Sequence, residues 1–384
     1  MMISFKRLLS LLVCTLIMTG CSTEKPANSN QNLTLMRAKQ TLDSLYLNYS
    51  IDGTCLLREN CPNNTSRKYS YLWPYAGTFS AVNALFTATK DTAYKAMLDH
   101  KVLVGLEEYF DPQRTPAAYA SYICSLRQSD RFYDDNIWVG INFISTYLLT
   151  QDTKYLQKAL LIWNFVESGT DNKLGGGTYW CEESKNTKNT CSNAPGVVFA
   201  LKLFQATQDS TYLTEGQNRY EWTKAHLQDP ADYLYFDRIN LNGEIDKAKY
   251  AYNSGQMMQA AALLYQLTGK QDYLIDARNI AKACYDYFFI NYTSESGKTF
   301  KLLKKGDIWF TAVMLRGFIE LYRIDNNKVY LKSFNESLDY AWEHARDKDG
   351  LFNTDFSGKT QDDKRWLLTQ AAMVEMYALL AAAK

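Results

Sequence analysis

The stretch TYLLTQDTKY, residues 146–155, carries the end of an apolar helical pattern through a short polar turn that a tyrosine closes. The same design recurs at residues 84–94, 202–212, 264–273 and 320–330. The closing tyrosines are Tyr94, Tyr155, Tyr212, Tyr273 and Tyr330, spaced 61, 57, 61 and 57 residues apart. Self-similarity at a nearly fixed period indicates a repeated supersecondary unit.

Each repeat predicts two helices joined by that turn, followed by a longer connection to the next repeat. The helices that enter the turns are apolar and rich in small residues, as in GTFSAVNALFTA (77–88), which suits a crowded inner ring. The helices that leave are amphipathic, as in YLQKALLIWNFVES (155–168), which suits an outer ring facing water. A further outer helix at about 33–50 and an inner one at 366–382 complete six of each. The sequence therefore predicts an all-α (α/α)6 barrel, a single domain over residues 33–384, with at most a small hairpin near GGGTYWCE (175–182).

The N-terminus carries an export signal. Lys6 and Arg7 precede the apolar run 8–19, which is too short to span a membrane comfortably and ends at TGCS (19–22). Small residues leading into a cysteine resemble a lipoprotein signal, so residues 1–20 are expected to be removed and Cys21 to be lipidated. Residues 21–32 are polar and predict a flexible tether. Because Ser22 follows the cysteine, we expect an outer-membrane lipoprotein; an uncleaved anchor helix is the alternative.

Charge and composition narrow the classes of function that the chain can have. The chain has 42 Lys and Arg against 41 Asp and Glu, a formal net charge of +1. A nucleic-acid-binding protein normally shows a basic excess, so no nucleic-acid partner is expected. The 28 tyrosines and 8 tryptophans supply aromatic bodies with polar tips, which suit sugar-binding surfaces.

The long connections of this topology gather where the inner helices begin, and function is usually found on such loops. There the sequence places aromatic and polar residues at every inner helix. RFYDDNIWVG (131–140) stands out, because it sets Asp134 and Asp135 side by side. Asp favours the first turn of a helix, so capping is one interpretation of the pair, and a pair of catalytic carboxylates is the other. The candidate ligand-binding residues are Trp73, Tyr75, Tyr133, Asn136, Trp138, Asn189, Asn193, Tyr252, Asn253, Trp309, Arg365 and Trp366.

Five segments carry a family resemblance, and they are YDDNIWVGINF (133–143), LGGGTYW (174–180), KNTCSNAP (188–195), YNSGQMMQAAALLYQLTG (252–269) and LLTQAAMVEMYAL (367–379). Together, and in this order from about residue 40 to 382, they resemble glycoside hydrolase family 76, the endo-α-1,6-mannanases. WPYAGTFSAVNAL (73–85) is further similar to lipoprotein members from Bacteroidetes. The resemblance implies an (α/α)6 barrel and retaining cleavage of α-1,6-linked mannan without a metal or other cofactor. It implies Asp134 as nucleophile, Asp135 as acid/base and Asp237 as a subsite residue.

The chemistry of the pair agrees with that assignment. Retaining hydrolysis needs two carboxyl groups roughly 5–5.5 Å apart, and neighbouring Cα atoms lie about 3.8 Å apart, so adjacent side chains reach that separation if they splay. A helix N-terminus favours ionisation of one carboxyl, while the resulting charge raises the pKa of the other.

The remaining polar motifs divide between structure and binding. The glycines of GGGTYW, including Gly176 and Gly177, are expected to let the backbone approach a sugar beside Trp180, a plain turn being the alternative. We expect disulfides between Cys55 and Cys61 and between Cys181 and Cys191, since these lie in polar loops of an exported protein. Cys124 and Cys284 are predicted to be buried thiols. His100, His226 and His344 fall in predicted outer helices, so no zinc site or histidine-based triad is expected. KTFKLLKKGD (298–307) favours a solvated loop over an anion site.

Three other functions compete with a mannanase. A non-catalytic glycan-binding lipoprotein would keep the aromatic residues without needing the carboxylate pair, and a mannan transglycosidase would use the same pair. A uronate-processing enzyme would need several basic residues at the inner-helix starts, where only Arg365 qualifies. The sequence favours an endo-acting α-1,6-mannanase that binds α-mannan as a monomer.

Overall fold

A ring of six inner helices surrounded by outer helices forms the body of the protein. The structure is a computed structural model and describes residues 28–63 and 67–383, so residues 1–27, with the signal peptide and Cys21, lie outside it. The inner helices are Leu72–Thr89, Tyr133–Thr150, Thr190–Thr207, Ala251–Thr268, Ile308–Asp325 and Leu367–Ala382.

The outer helices alternate with the inner ones along the chain, which confirms the predicted (α/α)6 barrel. They are Asn28–Tyr49, the composite helix Thr92–Met97, Leu98–Val102, Leu103–Leu106 and Glu107–Tyr109, then Thr153–Glu167, Ser210–Leu227, Gln271–Phe288 and Val329–His344. The first begins at Asn28, so the end of the predicted tether 21–32 is helical rather than flexible.

The repeated turn has a clear physical basis in TYLLTQDTKY. Gln151 adopts the left-handed conformation, with φ 58°, and its backbone N–H bonds to Tyr147 to end the inner helix. Asp152 then caps the outer helix by accepting a hydrogen bond from the backbone N–H of Lys154. Asp91 and Asp209 cap their outer helices in the same way.

The closing tyrosines join consecutive outer helices. The hydroxyl of Tyr155 donates to Asp99 at 2.5 Å, and the ring of Tyr212 packs on Trp163 at 5.8 Å between centroids. The rings of Tyr273 and Tyr330 pack in the same manner on Tyr220 and Tyr285. The periodic tyrosine therefore makes a repeated contact between neighbouring outer helices.

Small residues allow the inner helices to pack closely. A Cβ atom added to Gly255 would lie 2.4 Å from the Cα of Met314, and one added to Gly317 would lie 2.4 Å from the backbone oxygen of Gly255. These two glycines bring the fourth and fifth inner helices into backbone contact. One continuous hydrophobic core includes buried residues of every inner helix.

Short antiparallel strands occur in the connections, and here the prediction of at most one hairpin near residues 175–182 is wrong. Thr187–Asn189, Phe236–Asn240 and Ile245–Lys249 form a three-stranded sheet beside the inner-helix starts. Phe289–Thr293 pairs with Thr299–Leu303, Phe110–Asp111 with Ala118–Tyr119, and Asn60–Cys61 with Arg365–Trp366. The strands were missed because the pairs are short and their partly exposed faces show little alternation of apolar and polar residues.

The three histidines lie in outer helices, as predicted. His226 stacks on Trp222 and His344 stacks on Tyr340, with centroids 4.6 and 3.8 Å apart. His100 lies in the composite second outer helix. Over the described residues, no helix combines the length and apolarity needed to cross a bilayer.

Candidate active site

A cleft of about 920 Å³ opens where the inner helices begin. Most of the predicted site residues line it, although they come from widely separated parts of the chain. Those residues are Trp73, Asp134, Asp135, Trp138, Trp180, Asn189, Asp237, Tyr252, Trp309 and Trp366.

Asp134 and Asp135 occupy the first turn of the inner helix Tyr133–Thr150 and line the cleft. The N-cap residue of that helix is Phe132, which makes no side-chain cap, so neither aspartate serves as the N-cap. The indole Nε1–H of Trp180 donates to Oδ2 of Asp134 at 3.1 Å. The Cys191 thiol also hydrogen-bonds to Asp134. Two side chains therefore stabilise Asp134 in its ionised form.

The two carboxyl groups differ in proton affinity. Burial raises the pKa of Asp134 to about 6, while the hydrogen bonds from Cys191 and Trp180 limit the rise. Burial and the negative charge of Asp134 together raise the pKa of Asp135 well above its ordinary value. Asp135 is thus the member of the pair that keeps its proton when Asp134 is ionised.

The loop that carries Trp180 is fixed against the start of the same helix. The backbone N–H of Tyr133 donates to the Trp180 carbonyl at 2.9 Å. Arg131 is fully buried and binds both carboxylate oxygens of Glu182 at 2.6 Å. This paired geometry holds the Trp180 indole over Asp134.

Aromatic rings form one wall of the cleft. The Trp138 ring contacts Trp309, Trp309 contacts Trp73, and Trp73 contacts Trp366, with centroids 4.9, 5.5 and 5.1 Å apart and the rings nearly perpendicular. Trp138 and Trp309 are only 4% and 2% exposed, whereas Trp180 is 37% exposed. The first two form a packed floor, and Trp180 presents ring surface at the rim.

The lining of the cleft also carries polar groups. Asp237 lies on the strand Phe236–Asn240, and burial raises its pKa although the neighbouring Arg238 guanidinium opposes the rise. The Tyr252 ring stacks on Phe310 at 4.0 Å between centroids, with the two planes 16° apart. These residues offer hydrogen-bonding groups beside the aromatic rings, an arrangement suited to sugar rings and their hydroxyls.

Asn136 and Asn193 were predicted to bind ligand, but they hold the connections in place. The Asn136 side chain accepts from the backbone N–H of Tyr119 at 2.8 Å and donates to its carbonyl at 2.9 Å. Asn193 makes the same pair of bonds to Thr178, at 2.7 and 2.9 Å. Gln370 repeats the pattern on Phe352 in the last inner helix. Each is the fourth residue of its helix. The same pair of hydrogen bonds therefore joins each of these inner helices to the connection that precedes it.

Other predicted residues also lie away from the cleft surface. Gly176 and Gly177 adopt positive φ and lie against the Trp222 ring of an outer helix, where a Cβ on Gly177 would come within 2.6 Å of the indole. This position does not match a close approach to sugar. Tyr133 stacks on Phe165. Asn253 is buried beneath the cleft wall, and its side chain interacts with Asp237.

Tyr75 and Arg365 also have structural partners. Tyr75 donates its hydroxyl to the carbonyls of Cys55 and Val102, and Arg365 pairs with Asp347 and Asp349.

Several residues that line the cleft were not predicted. Phe310 and Tyr250 lie within two residues of the predicted Trp309 and Tyr252, so an aromatic cluster at these helix starts was the available signal. Arg127, Gln128 and Asp130 lie in the connection just before the aspartate pair, and no motif marks them. The remainder are Glu59, Tyr71, Pro74, Ser121, Ser129, Phe132, Cys191 and Arg238.

The predicted disulfides are absent. All cysteines of the described residues are free thiols, including Cys55, Cys61, Cys181 and Cys191. Cys191 is buried in the first turn of an inner helix and its thiol is directed to Asp134 and Tyr252, while the thiol of Cys181 donates to Glu183 at 3.4 Å. Loop position alone did not show that the two thiols have different partners.

The other two cysteines are free as well. Cys284 is buried as predicted, and Cys124 is partly exposed. Among the described side chains, no group of three or more His, Cys, Asp or Glu residues is arranged to hold a metal ion.

Sequence and structure comparisons agree with this geometry. The sequence model of glycosyl hydrolase family 76 matches residues 37–300. A family 76 glycoside hydrolase (mannosidase) from Bacteroides thetaiotaomicron VPI-5482 superposes with a TM-score of 0.86 at 34% identity, covering 91% of this chain and 98% of that one. The GH76A α-1,6-mannanase of Salegentibacter sp. HEL1_6 superposes with a TM-score of 0.77 at 25% identity, covering 91% of this chain and 100% of that one.

A curated relative is more distant. A putative mannan endo-1,6-alpha-mannosidase from Schizosaccharomyces pombe is 24% identical over 249 residues, 60% of this chain and 53% of that protein. The chain therefore spans about half the length of this curated relative. The family match covers more than half of the chain, and the matched segment includes the aspartate pair. The chain belongs to glycosyl hydrolase family 76.

Proposed function

We propose that the protein is an endo-acting glycoside hydrolase that cleaves α-1,6-mannosidic bonds in mannan backbones with retention of configuration. The observation that carries this proposal is the pair Asp134 and Asp135, which line an aromatic cleft and differ in proton affinity, Asp135 being the one that keeps its proton when Asp134 is ionised. Retaining hydrolysis requires this division of roles.

The first step forms a covalent intermediate. The Asp134 carboxylate attacks the anomeric carbon of an internal mannose, while Asp135 transfers its proton to the departing O6 of the next sugar. The new bond is an ester between Asp134 and C1, and the broken bond is the glycosidic C1–O6 bond. Trp180 and Cys191, which hydrogen-bond to Asp134, keep the nucleophile oriented.

The second step releases the product. A water molecule attacks C1, Asp135 takes the proton of that water, and Asp134 leaves as a carboxylate. Both aspartates thereby return to their starting protonation states, and no further co-reactant is needed.

The choice of substrate rests on the cleft and on the relatives. The cleft is open and large, which suits attack within a polymer rather than at a chain end. The solved relative from Salegentibacter is an α-1,6-mannanase, and the curated relative is named a mannan endo-1,6-alpha-mannosidase. Aromatic rings line the cleft together with five acidic residues and only two arginines, which suits a neutral sugar better than an acidic one.

Incubation with debranched α-1,6-mannan tests the proposal. We expect early release of oligosaccharides of several lengths, which is the pattern of internal cleavage, and no release by an Asp134→Asn variant that still binds the polymer. Release of mannose alone from the start would contradict endo action. An unaltered rate in the Asp134→Asn variant would contradict the assigned nucleophile.

We further propose that Cys21 is lipidated and holds the enzyme at the outer membrane. The support is the sequence MTGCS (18–22) after an apolar run, in residues outside the described structure. A Cys21→Ala variant should lose lipid labelling and leave the membrane fraction. Labelling that persists in this variant would contradict the proposal.

A further inference from the structure

A second groove lies beside the cleft and shares a wall with it. It has a volume of about 590 Å³, and Trp366 lines both spaces. This volume is within the range of small-molecule sites, about 300–1,000 Å³. We call it the Trp366 groove; its other lining residues include Lys305, Asp307, Gln361, Asp363 and Lys364.

The shared tryptophan is held firmly in place. Trp366 pairs with Asn60 in a short antiparallel ladder, and the next residue, Leu367, donates its backbone N–H to Glu59 at 2.8 Å. The neighbouring Arg365 binds Asp347 and Asp349 at 2.5 and 2.7 Å. Its ring also contacts Trp73, and an indole restrained in this way loses little conformational freedom when a ligand stacks on it.

The groove also carries polar side chains that no protein group engages. Gln361, Asp363 and Lys364 are exposed and form no hydrogen bond or ion pair within the described residues. Asp307 differs, since one of its carboxylate oxygens caps the fifth inner helix. An amide, a carboxylate and an ammonium group next to an indole ring are the partners that sugar hydroxyls require.

The charge of the groove argues for a neutral ligand. Lys305 and Lys364 are offset by Asp307, Asp362 and Asp363, so no positive excess is available to bind a phosphate or carboxylate. A neutral sugar needs only the hydrogen bonds and the ring face. The charge balance thus favours a neutral branch over an anionic one.

The groove lies at some distance from the bond that is cleaved. From Trp138, one helical turn after the aspartate pair, three ring contacts of about 5 Å each lead through Trp309 and Trp73 to Trp366. Neither Asp134 nor Asp135 is among the residues that line the groove. This position leaves the catalytic aspartates free of the branch.

We propose that the Trp366 groove binds a neutral sugar branch of the mannan while the backbone occupies the cleft. The proposal rests on the proposed mannanase function and adds that the enzyme tolerates a branched substrate. The enzyme would then cleave a backbone that carries a branch at the sugar next to Trp366.

The test compares two substrates of equal backbone length, a linear α-1,6-mannooligosaccharide and the same backbone with a single mannose branch. In a Gln361→Ala/Asp363→Ala variant, we expect kcat/KM on the branched substrate to fall about tenfold, and kcat/KM on the linear substrate to change by less than about twofold. An Asp272→Ala variant, which removes an exposed carboxylate from an outer helix, should change neither.

Binding to the inactive Asp134→Asn protein separates this proposal from the mannanase proposal. A branch that increases affinity, with the increase lost in the Gln361→Ala/Asp363→Ala background, supports the groove even if turnover is absent. Equal affinity for the two oligosaccharides, or equal effects of the double variant on both, overturns it.

Discussion

Aspartates lie at both ends of the helix Tyr133–Thr150, and their roles differ. At the closed end, Asp152 lies in a tight turn and accepts a backbone N–H of the next outer helix. At the open end, Asp134 and Asp135 lie in the first turn, leave the N-cap position to Phe132, and line a cleft. Proximity to a helix start therefore does not by itself decide the role of an aspartate.

Surroundings account for the difference. The capping Asp209, on another tight turn, has its pKa lowered by the backbone N–H of Thr211. Burial acts in the opposite direction on Asp134 and Asp135, whose pKa values are raised. Asp209 thus caps a turn with a lowered pKa, whereas burial raises the pKa of both cleft aspartates.

The largest expected effect is a loss of activity on substitution at the cleft end of the helix, with activity kept on substitution at the other end. Asp134→Asn removes the nucleophile and Asp135→Asn removes the proton donor, so each should lower kcat by about 10³-fold or more on α-1,6-mannan. Circular dichroism should show an unchanged helical spectrum in both. An Asp152→Asn variant, at the other end of the same helix, serves as the control. Activity near that of the wild type in either cleft variant would mean that the pair is structural.

The pH dependence of kcat/KM should show the same contrast. Activity requires Asp134 ionised, so it should fall about tenfold per unit as the pH drops below about 6, where that carboxyl takes up a proton. It also requires Asp135 protonated, so a second decline should appear at higher pH. In an Asp135→Ala variant assayed on a substrate with an activated leaving group, the alkaline decline should disappear and the acid one should stay. An unchanged alkaline decline would assign it to another group.

Substitution of Asp135 should raise the stability of the protein although it lowers activity. A carboxyl in the unfolded chain ionises near pH 4, whereas Asp135 in the folded protein holds its proton to a much higher pH. Between these two values the folded state binds more protons, so the free energy of unfolding falls as the pH rises. Asp135→Asn removes this cost and should stabilise the protein at pH 7 by roughly 1–3 kcal/mol, with little gain at pH 4. Urea unfolding at both pH values measures the difference; a variant less stable at pH 7 would contradict the raised pKa.

The smallest expected effect is the loss of stability on substitution of Asp152, at the end of the helix away from the cleft. Asp152→Ala removes a helix cap and should lower the free energy of unfolding by about 1 kcal/mol, while kcat/KM on mannan stays within about twofold. A matched Asp152→Ser variant should recover most of the stability, since serine also caps helices. A large loss of activity in Asp152→Ala would show that the two ends are not independent.

The barrel could be predicted from sequence because its turns repeat a local chemistry. A left-handed residue, a capping aspartate and a tyrosine that packs on the previous outer helix recur at Gln151, Asp152 and Tyr155, and each leaves a visible signal. The aspartate pair was also predictable, since its neighbours, its helix-start position and its motif agree.

The rest of the site depends on contacts between distant segments. Asn136 and Asn193 have the residue type and position of ligand-binding groups, yet their amides bind the backbone of Tyr119 and Thr178. Gly177 needs its positive φ for a turn, and nothing local shows that Trp222 lies against it. The polar loop of Cys191 predicts a disulfide, whereas in the folded chain its thiol is free and directed to Asp134.

The anomeric configuration of the first product tests the roles of Asp134 and Asp135 most directly. Proton NMR during the first minutes of hydrolysis of a linear α-1,6-mannooligosaccharide should show the α-anomer of the new reducing end before mutarotation produces the β-anomer. This outcome follows from two displacements at C1, the first by Asp134 and the second by water that Asp135 activates. A first-formed β-anomer would mean a single displacement by water, and the assignment of Asp134 as nucleophile would be wrong.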